Sequence, residues 1–502
     1  MVVFKDYNQN QLILLPPSLD ELIEPNHPVR VVNQIIDRID ADTLLHQYKG
    51  GGSSSYHPRM LLKVLVYSYL CNIYSSRKME FAIKENIHFM WLSGMNRPDH
   101  NTLNRFRSER LKDVLKEIFA QVVLLLVESG HVSLQEIYVD GTKIESRANR
   151  YTFVWGNAIK TSKARIADQL KSLWEYTQQV AKDELLNAEV TDFKAIEAEK
   201  VKQTIATIDQ ALKDKQVDQN IKKKLNYARK HWPENLKRYE HQEKILGNRN
   251  SFSKTDPGAT FMRMKEDYMK NGQLKPGYNV QISTNNQYII NYSNHPNPTD
   301  TKTLPSHIEQ FTKLYKALPQ AVVADAGYGS EENYGLLEKL GIEAYVKYNY
   351  FNKDQRKKED TITGNLYYSK EQDCYYCPMG QKMSYIGIYN RKSETGFVQQ
   401  YKNYQAIRCE GCPLRGICNK MDGTKILVVN QNLTNYKSKA TELLKSEKGL
   451  YYRRKGGVDV EPVFGNIKYN KGFKRFLLKG IEKTEIEIGL LALAHNLAKR
   501  AG

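Results

Sequence analysis

Apolar runs are short in this sequence. None approaches the ~20 residues that a membrane span requires, and Val122 to Val127 is among the longest. Met1 to Asn10 has no apolar segment of the secretory-signal kind. Cysteine is scarce, with Cys71 alone and the other five crowded between positions 374 and 418. These lacks exclude a helical membrane protein and a disulfide-stapled secreted one. The expectation is a cytoplasmic protein with no membrane partner. Acids are also outnumbered: 56 Asp and Glu against 75 Lys and Arg leave a formal charge of +19. A soluble chain that basic usually meets a polyanion, nucleic acid first, which would place it with the nucleoid. Thirty-three tyrosines add flat side chains able to stack on bases. The bland alternative is a proteome rich in lysine and tyrosine. The 502 residues suffice for two or three domains.

The pattern along the chain divides it into six stretches. Residues 1–130 read as an all-helical domain, with helices over 60–71 and 77–85. After the break at Asn96-Arg97-Pro98, Asp99 can cap a helix running through Leu103, Phe106, Leu111, Leu115 and Phe119. Arg105, Arg107 and Arg110 on its outer face suit a helix-turn-helix reader of a DNA groove. A plain bundle with a solvated face is the equal alternative. Residues 131–153 open an α/β domain, with a strand over 134–140 ending in Asp140 and Gly141-Thr142-Lys143 as a turn. Residues 154–247 form an inserted helical hairpin, coiled-coil-like, in which Ile205, Ile208 and Leu212 recur three and then four apart. The α/β domain resumes over 248–350, with strands at 278–283 and 288–292. A further strand, 321–325, ends in Asp325 and leads to a helix over 331–340 and a strand over 344–347. Residues 351–447 make a cysteine-rich insertion, and 448–502 close the α/β domain with a helix buried through Ile486, Leu490, Leu493 and Leu497.

Chemistry concentrates on three acids. Asp140 and Asp325 end apolar strands, and Glu461 opens the stretch Glu461-Pro462-Val463-Phe464-Gly465-Asn466-Ile467-Lys468. Pro462 suits the first position of a helix, Glu461 then lies by its positive end, and Lys468 follows at i+7 on the same face. Carboxylates that hold a divalent cation, with a lysine to grip a phosphate, equip a site for phosphoryl transfer. Two Mg²⁺ ions about 3.5–4 Å apart activate the attacking oxygen and neutralise the leaving one. Each acid alone is weak evidence, since a strand-end Asp often only caps a turn. Asp256, Asp300, Asp459, Glu145 and the Glu331–Glu332 pair compete.

Several motifs in order make the pattern specific. They are Arg97-Pro98-Asp99-His100, Tyr138-Val139-Asp140-Gly141-Thr142-Lys143, Ser253-Lys254-Thr255-Asp256-Pro257 and Met269-Lys270-Asn271-Gly272. Lys275-Pro276-Gly277-Tyr278-Asn279-Val280-Gln281, Asp325-Ala326-Gly327-Tyr328 and Glu461-Pro462-Val463-Phe464-Gly465 complete them. Over nearly its whole length the chain resembles bacterial insertion-sequence transposases of the acid-triad (DDE) class. The resemblance implies a ribonuclease-H-like mixed sheet with flanking helices, and a catalytic, metal-binding triad of Asp140, Asp325 and Glu461 holding Mg²⁺ (or Mn²⁺). It implies cleavage at transposon ends and transfer of the 3′-hydroxyl into target DNA, with Lys468 as a catalytic lysine. The family often places a Tyr and an Arg shortly before the Glu. Here Tyr452, Arg453, Arg454 and Lys455 lie nearby, while Gly457 stands four before Glu461. The last three basic residues, with Lys468, are candidate contacts to double-stranded DNA, both inverted repeats and target. The family's Thr-Asp-Pro motif is commonly followed by an acid; Gly258 stands there, so Asp256 is not assigned to catalysis. Such enzymes generally work as multimers on paired ends, so a homo-oligomer, at least a dimer, is expected, with residues 154–247 a candidate contact. A nuclease that cuts without joining and an inactive, transposase-derived DNA-binding protein are the alternatives.

The clustered cysteines form Cys374-x2-Cys377 and Cys409-x2-Cys412-x5-Cys418. Two CxxC pairs suit a structural tetrathiolate zinc on Cys374, Cys377, Cys409 and either Cys412 or Cys418. Unmetallated thiols are the plain alternative, and an iron–sulfur cluster is the rarer metal reading.

Overall fold

Histidine–proline pairs start the first long helices. His27 Nδ1 accepts from the Val29 N–H ahead of α1 (Pro28–Arg38), and His57 Nδ1 accepts from Arg59 N–H ahead of α3 (Pro58–Leu70). In each the proline occupies a position whose N–H would go unbonded. The computed structural model describes residues 18–40, 42–45, 55–181, 183–185, 193, 196–264, 272–356, 366–393, 395–419 and 421–502. The expectations for Met1 to Asn10 and for Met269-Lys270-Asn271 lie outside the described residues. The helical run continues with α2 (Asp42–Leu45), α4 (Ser76–Glu85), α5 (Ile87–Ser93), α6 (His100–Arg105) and α7 (Leu115–Glu128).

Asp99 caps α6 through its Oδ1 and the Thr102 N–H, 2.8 Å away. The single helix expected to run on to Phe119 is instead broken. After α6 the backbone widens into a π-type turn, Phe106–Arg110, and soon afterwards restarts as α7. At about 100° per residue, Phe106 to Phe119 would spread over roughly 220° of a straight helix, too wide for one buried stripe. The break lets Leu103, Phe106, Leu111, Leu115 and Phe119 all be buried.

The central sheet is mixed. β1 (Glu136–Glu145) lies antiparallel to β5 (Leu274–Asn285) on one side and parallel to β7 (Ala321–Ala324) on the other, and β8 (Glu343–Val346) continues parallel beyond β7. β4 (Thr260–Arg263) and β6 (Tyr288–His295) pair antiparallel with β5. β5 and β6 are joined by Asn286 and Gln287 at φ 51 and 61, the left-handed pair that matches the twist of a tight hairpin. The strand expected to end at Asp140 in fact continues to Glu145, because Gly141 to Lys143 stay paired with β5. α11 (Leu304–Tyr315) and α12 (Glu331–Lys339) flank the sheet.

Residues after β2 (Phe153–Trp155) form three helices rather than the expected hairpin: α8 (Gly156–Val180), α9 (Ala198–Ala211) and α10 (Gln219–Leu246). They bury a core of their own, including Leu170, Leu173, Val201, Ile205, Ile208 and Leu236. β2 pairs with β3 (Ser251–Ser253) at the root of this insertion. After α13 (Phe351–Arg356) comes a second sheet, ordered β13-β12-β11-β10-β9. Its strands are β9 (Tyr367–Ser369), β10 (Cys374–Tyr376), β11 (Lys382–Lys392), β12 (Val398–Ala406) and β13 (Ile426–Val429), with α14 (Arg415–Cys418) between the last two.

α15 (Gln431–Lys445), α16 (Glu447–Asp459), α17 (Glu461–Gly465) and α18 (Ile481–Ala501) end the fold. Ala440 and Leu444 of α15 already belong to the main core, inside the stretch read from sequence as cysteine-rich. That core runs from Ile23 to Leu497, so the N-terminal helices and the sheet share one interior. α18 packs on α3, α7 and β6, with Ile486, Leu490, Leu493 and Leu497 buried as their spacing predicts. Among the described residues no helix is long and apolar enough to cross a membrane.

Candidate active site

β1 and β7 run in parallel register with Val139 opposite Ala324. Asp140 and Asp325 are the next residues, so they occupy neighbouring places on strands about 4.8 Å apart. Asp140 sits within β1, while Asp325 lies just past the end of β7. Glycine after Asp140 serves closeness, not turning: a Cβ on Gly141 would fall 2.6 Å from Asp300 Oδ1 and closer still to Gln281 Nε2. Asp325 is 72 % exposed and faces Lys347 Nζ at 3.9 Å.

Glu461 arrives from the opposite wall, and not at the mouth of a fresh helix as expected. α16 ends at Asp459, Val460 keeps helical dihedrals (φ −94, ψ −45), and α17 follows at once. Pro462 has no N–H to give and its ring crowds the carbonyl four residues back, which forces a step at Glu461. A second π-type turn, Asn466–Asn470, then carries Lys468, only 5 % exposed.

These elements enclose a cleft of about 850 Å³ whose lining includes Asp140, Asp325, Glu461, Lys468, Lys347 and Arg453. Tyr452 packs edge-on against Tyr138 and Tyr345, at centroid distances of 6.2 and 4.8 Å, and makes the aromatic part of the wall. Arg453 lies over the Phe351 ring at 5.2 Å. Arg454 does not line the cleft; Lys455 pairs with Glu136 at 3.8 Å and lies over the Tyr138 ring at 5.5 Å. Of the basic group before Glu461, Arg453 is therefore the one in the cleft.

Sequence reasoning passed over Lys347 and ranked Asp300 only as a competitor. Asp300 Oδ1 accepts from Asn279 Nδ2 at 2.7 Å and Gln281 Nε2 at 2.9 Å. Tyr328 donates to Gln281 Oε1. Burial, and then the charges of Asp300, Asp140 and Asp325, hold the Tyr328 hydroxyl well above its ordinary pKa, so it stays a neutral donor beside the acids. The signal that could have found Asp300 is its place shortly after β6, as Asp325 follows β7. Asp256 is 1 % exposed and away from the cleft: Tyr278 Oη, Ser146 Oγ and Gly480 N–H all donate to it, at 2.9, 2.5 and 3.0 Å, and tie three segments together.

Arg107 is a correction. It is 3 % exposed and donates to Tyr74 O at 2.7 Å, Tyr69 Oη at 3.3 Å and Asn104 Oδ1 at 3.1 Å. The π-type turn swings it inward towards buried Glu487, so it does not belong to an exposed DNA-reading face. Arg105 is exposed and Arg110 half-buried.

The cysteines also divide differently from expectation. Cys377, Cys409, Cys412 and Cys418 line one small cavity of about 20 Å³. Cys374 is buried elsewhere, in β10, with its Sγ towards Gln372 Oε1. Three residues apart on extended chain, Cys374 and Cys377 point to opposite sides. Lys425 directs its N–H to Cys409 Sγ at 3.3 Å and its Nζ to Cys418 Sγ at 3.2 Å. Among the described residues no group of three or more His, Cys, Asp or Glu is arranged to hold a metal ion.

Two family models match this chain. One, a "Transposase domain (DUF772)", covers residues 17–109, the helices from α1 to α6; the other, a "Transposase DDE domain", covers residues 376–501, with Glu461 and Lys468 inside it. No curated protein and no solved structure matches. The two matches support an insertion-sequence transposase of the DDE class. DNA is accordingly its substrate, and the DDE domain indicates an enzyme of nucleotidyl-transferase type that uses divalent metal in general.

Proposed function

We propose that this transposase cuts the phosphodiester at the ends of a mobile element and joins the freed 3′-hydroxyl to target DNA, using the cleft between β1, β7 and α17. The observation that carries this reading is that Asp140, Asp325, Glu461 and Lys468, from three distant stretches of chain, line one cleft. A sheet antiparallel on one side of β1 and parallel on the other suits the ribonuclease-H-like domain that the resemblance implies.

Asp140, Asp325 and Glu461 would hold the divalent ions, since hard carboxylate oxygens in an open cleft suit Mg²⁺ or Mn²⁺. Such a pair supplies charge neutralisation at the attacking and leaving oxygens of an in-line displacement, so one site serves cutting and joining. The rest falls to this chain's own side chains. Lys468, buried in its π-type turn, and Arg453, held over Phe351, bind phosphates of the strand and orient the scissile bond. Lys347 offsets part of the repulsion among the carboxylates. Asn279 and Gln281 fix Asp300 behind Gly141, which keeps the floor under Asp140 rigid. Tyr138, Tyr345 and Tyr452, all buried, stiffen the wall behind the acids.

The test is Mg²⁺-dependent cleavage of a duplex carrying the element's end. Asp140→Ala, Asp325→Ala and Glu461→Ala should each lower it by two or more orders of magnitude while end-binding persists. Undiminished cutting by any one removes that residue from the triad. Strand transfer with pre-cleaved ends separates a transposase from a nuclease that cannot join.

The cysteine cavity suits a structural zinc in donor type, with four thiols lining one small space, although the thiols as they stand are not arranged as a metal site. Cys377, Cys409, Cys412 and Cys418 are the proposed ligands, bracing the second sheet away from the chemistry. Metal analysis should find zinc retained in Cys374→Ser and lost in Cys409→Ser. The reverse pattern would restore Cys374.

A further inference from the structure

A second basic feature lies outside the acid cleft. Between the N-terminal helices and the segment joining α17 to α18 is a groove of about 540 Å³. Its walls include Arg77, Arg147 and Arg475, and Asp and Glu are absent from its lining among the described residues. Arg147 and Arg475 are braced, not loose: Arg147 donates to Leu477 O at 3.2 Å, and Arg475 to Ser146 O and Ala148 O at 3.1 Å each. Glu145, 3.5 Å from Arg475, and Glu487, near Arg107, offset two of the four charges.

Two further observations point to an anion. Ser75, the residue before α4, lines the groove and makes no side-chain cap, so the first N–H groups of that ten-residue helix face it unsatisfied by their own cap. Arg107 forms part of the floor, and its buried Nε has no hydrogen-bond partner among the described residues although its other nitrogens do. That Nε is closed off from the groove, so Arg107 adds positive charge beneath the floor and makes no direct contact with what binds there.

We infer that this groove is a binding site for backbone phosphates of duplex DNA, set apart from the acids so that the enzyme holds its substrate at two places. Arg147 lies seven residues beyond Asp140, in the bend that follows β1, so one strand links the groove to the acid cleft. The inference rests on DNA being the substrate, as in the proposed function, but not on cleavage. It also reassigns the DNA contact of the N-terminal helices, from an outward basic face to a groove shared with the catalytic body.

The experiment measures binding of the full chain to an end-bearing duplex across a salt series. Arg77→Gln with Arg147→Gln should make the slope of log affinity against log salt shallower by about one to two and lower affinity roughly tenfold or more at fixed salt. Arg77→Gln alone, which breaks no brace, should shift both in the same direction. The pair Arg229→Gln and Arg238→Gln on α10 should leave the slope unchanged. A slope unaltered in the groove variants, with folding verified by circular dichroism, overturns the inference. Inorganic phosphate is the second probe: if the variants lose phosphate binding but keep the DNA slope, the groove serves a free anion and the inference fails. Wild-type cleavage is read separately, so an inactive chain that still binds DNA through the groove would remove the catalytic reading and leave this one standing.

Discussion

The two all-helical regions of this chain are built on opposite plans. The N-terminal helices share the interior of the sheet: Leu62 and Leu65 of α3 belong to the same core as Tyr292 of β6 and Leu493 of α18. Arg107, Tyr69 and Glu487 join the two parts in a buried polar contact, and Tyr74 Oη donates to Lys471 O at 2.7 Å. The inserted helices α8, α9 and α10 bury mainly one another, and at their root Ile159 and Leu246 pack with Val154 and Phe252 of the short β2–β3 pair that rejoins the body. One region is part of the catalytic body and fixes what it holds relative to the acids. The other is an appendage whose loss exposes little. A basic residue in the first region is therefore positioned; one in the second is carried.

The comparison breaks most visibly by deletion. Removing residues 156–246 and linking Trp155 to Gly247 by a short Gly-Ser bridge should leave a folded protein with a cooperative melt. Removing 18–128 should leave none, because Leu490, Leu493 and Leu497 of α18 would be uncovered at about 1.5–3 kcal/mol each. Solubility and thermal melts decide it, and a stable chain without the N-terminal helices would refute the shared core. Next in size, Arg107→Met removes the donors to Tyr74 O and Asn104 Oδ1 and a positive charge near buried Glu487, and should cost about 3 kcal/mol in denaturant unfolding. Arg229→Met on the appendage breaks only the exposed pair with Asp209 and should cost under about 1 kcal/mol.

Acid should also act on the body. Burial lowers His295 and His495 to about 4, so below about 6.5 the unfolded chain takes up protons that the folded one refuses. Stability then falls as pH drops from about 6.5 to 4, each ring costing at most about 1.4 kcal/mol for every pH unit crossed. The chain lacking 156–246 should show the same dependence in pH-resolved melts; a flat profile would contradict the burial of these rings. The smallest effect is local: Gly141→Ala forces Asp300 and Gln281 aside and should cost about 1–3 kcal/mol, with cleavage lowered as Asp140 shifts.

Much of the candidate site could be read before the fold was known, because the acids sit in short, self-announcing settings. Ala321 to Ala324 is a strand by composition and Asp325 follows it; Glu461-Pro462 marked a helix start, which the fold makes a step between two helices. What sequence cannot carry is pairing at a distance. The parallel register that sets Asp140 beside Asp325 joins residues nearly two hundred positions apart, and Asp300 joins them through two amide side chains on β5. Periodicity misled where the backbone left the α-helix: the π-type turn after α6 turned Arg107 inward, though its spacing read as outward. The cysteine spacing marked a thiol cluster, yet the alternation of an extended strand removed Cys374 from it. The inserted helices were legible as helices, while the break between α8 and α9 was not.

The central claim is that Asp140, Asp325 and Glu461 act on DNA as one metal site. Crystals of the chain grown with a pre-cleaved end duplex and Mn²⁺, measured at the manganese absorption edge, test it most directly. The account predicts anomalous peaks bounded by the three carboxylates, with the DNA 3′-end beside them and Lys468 on a phosphate. Peaks elsewhere, or a DNA end that lies away from this cleft, would contradict it.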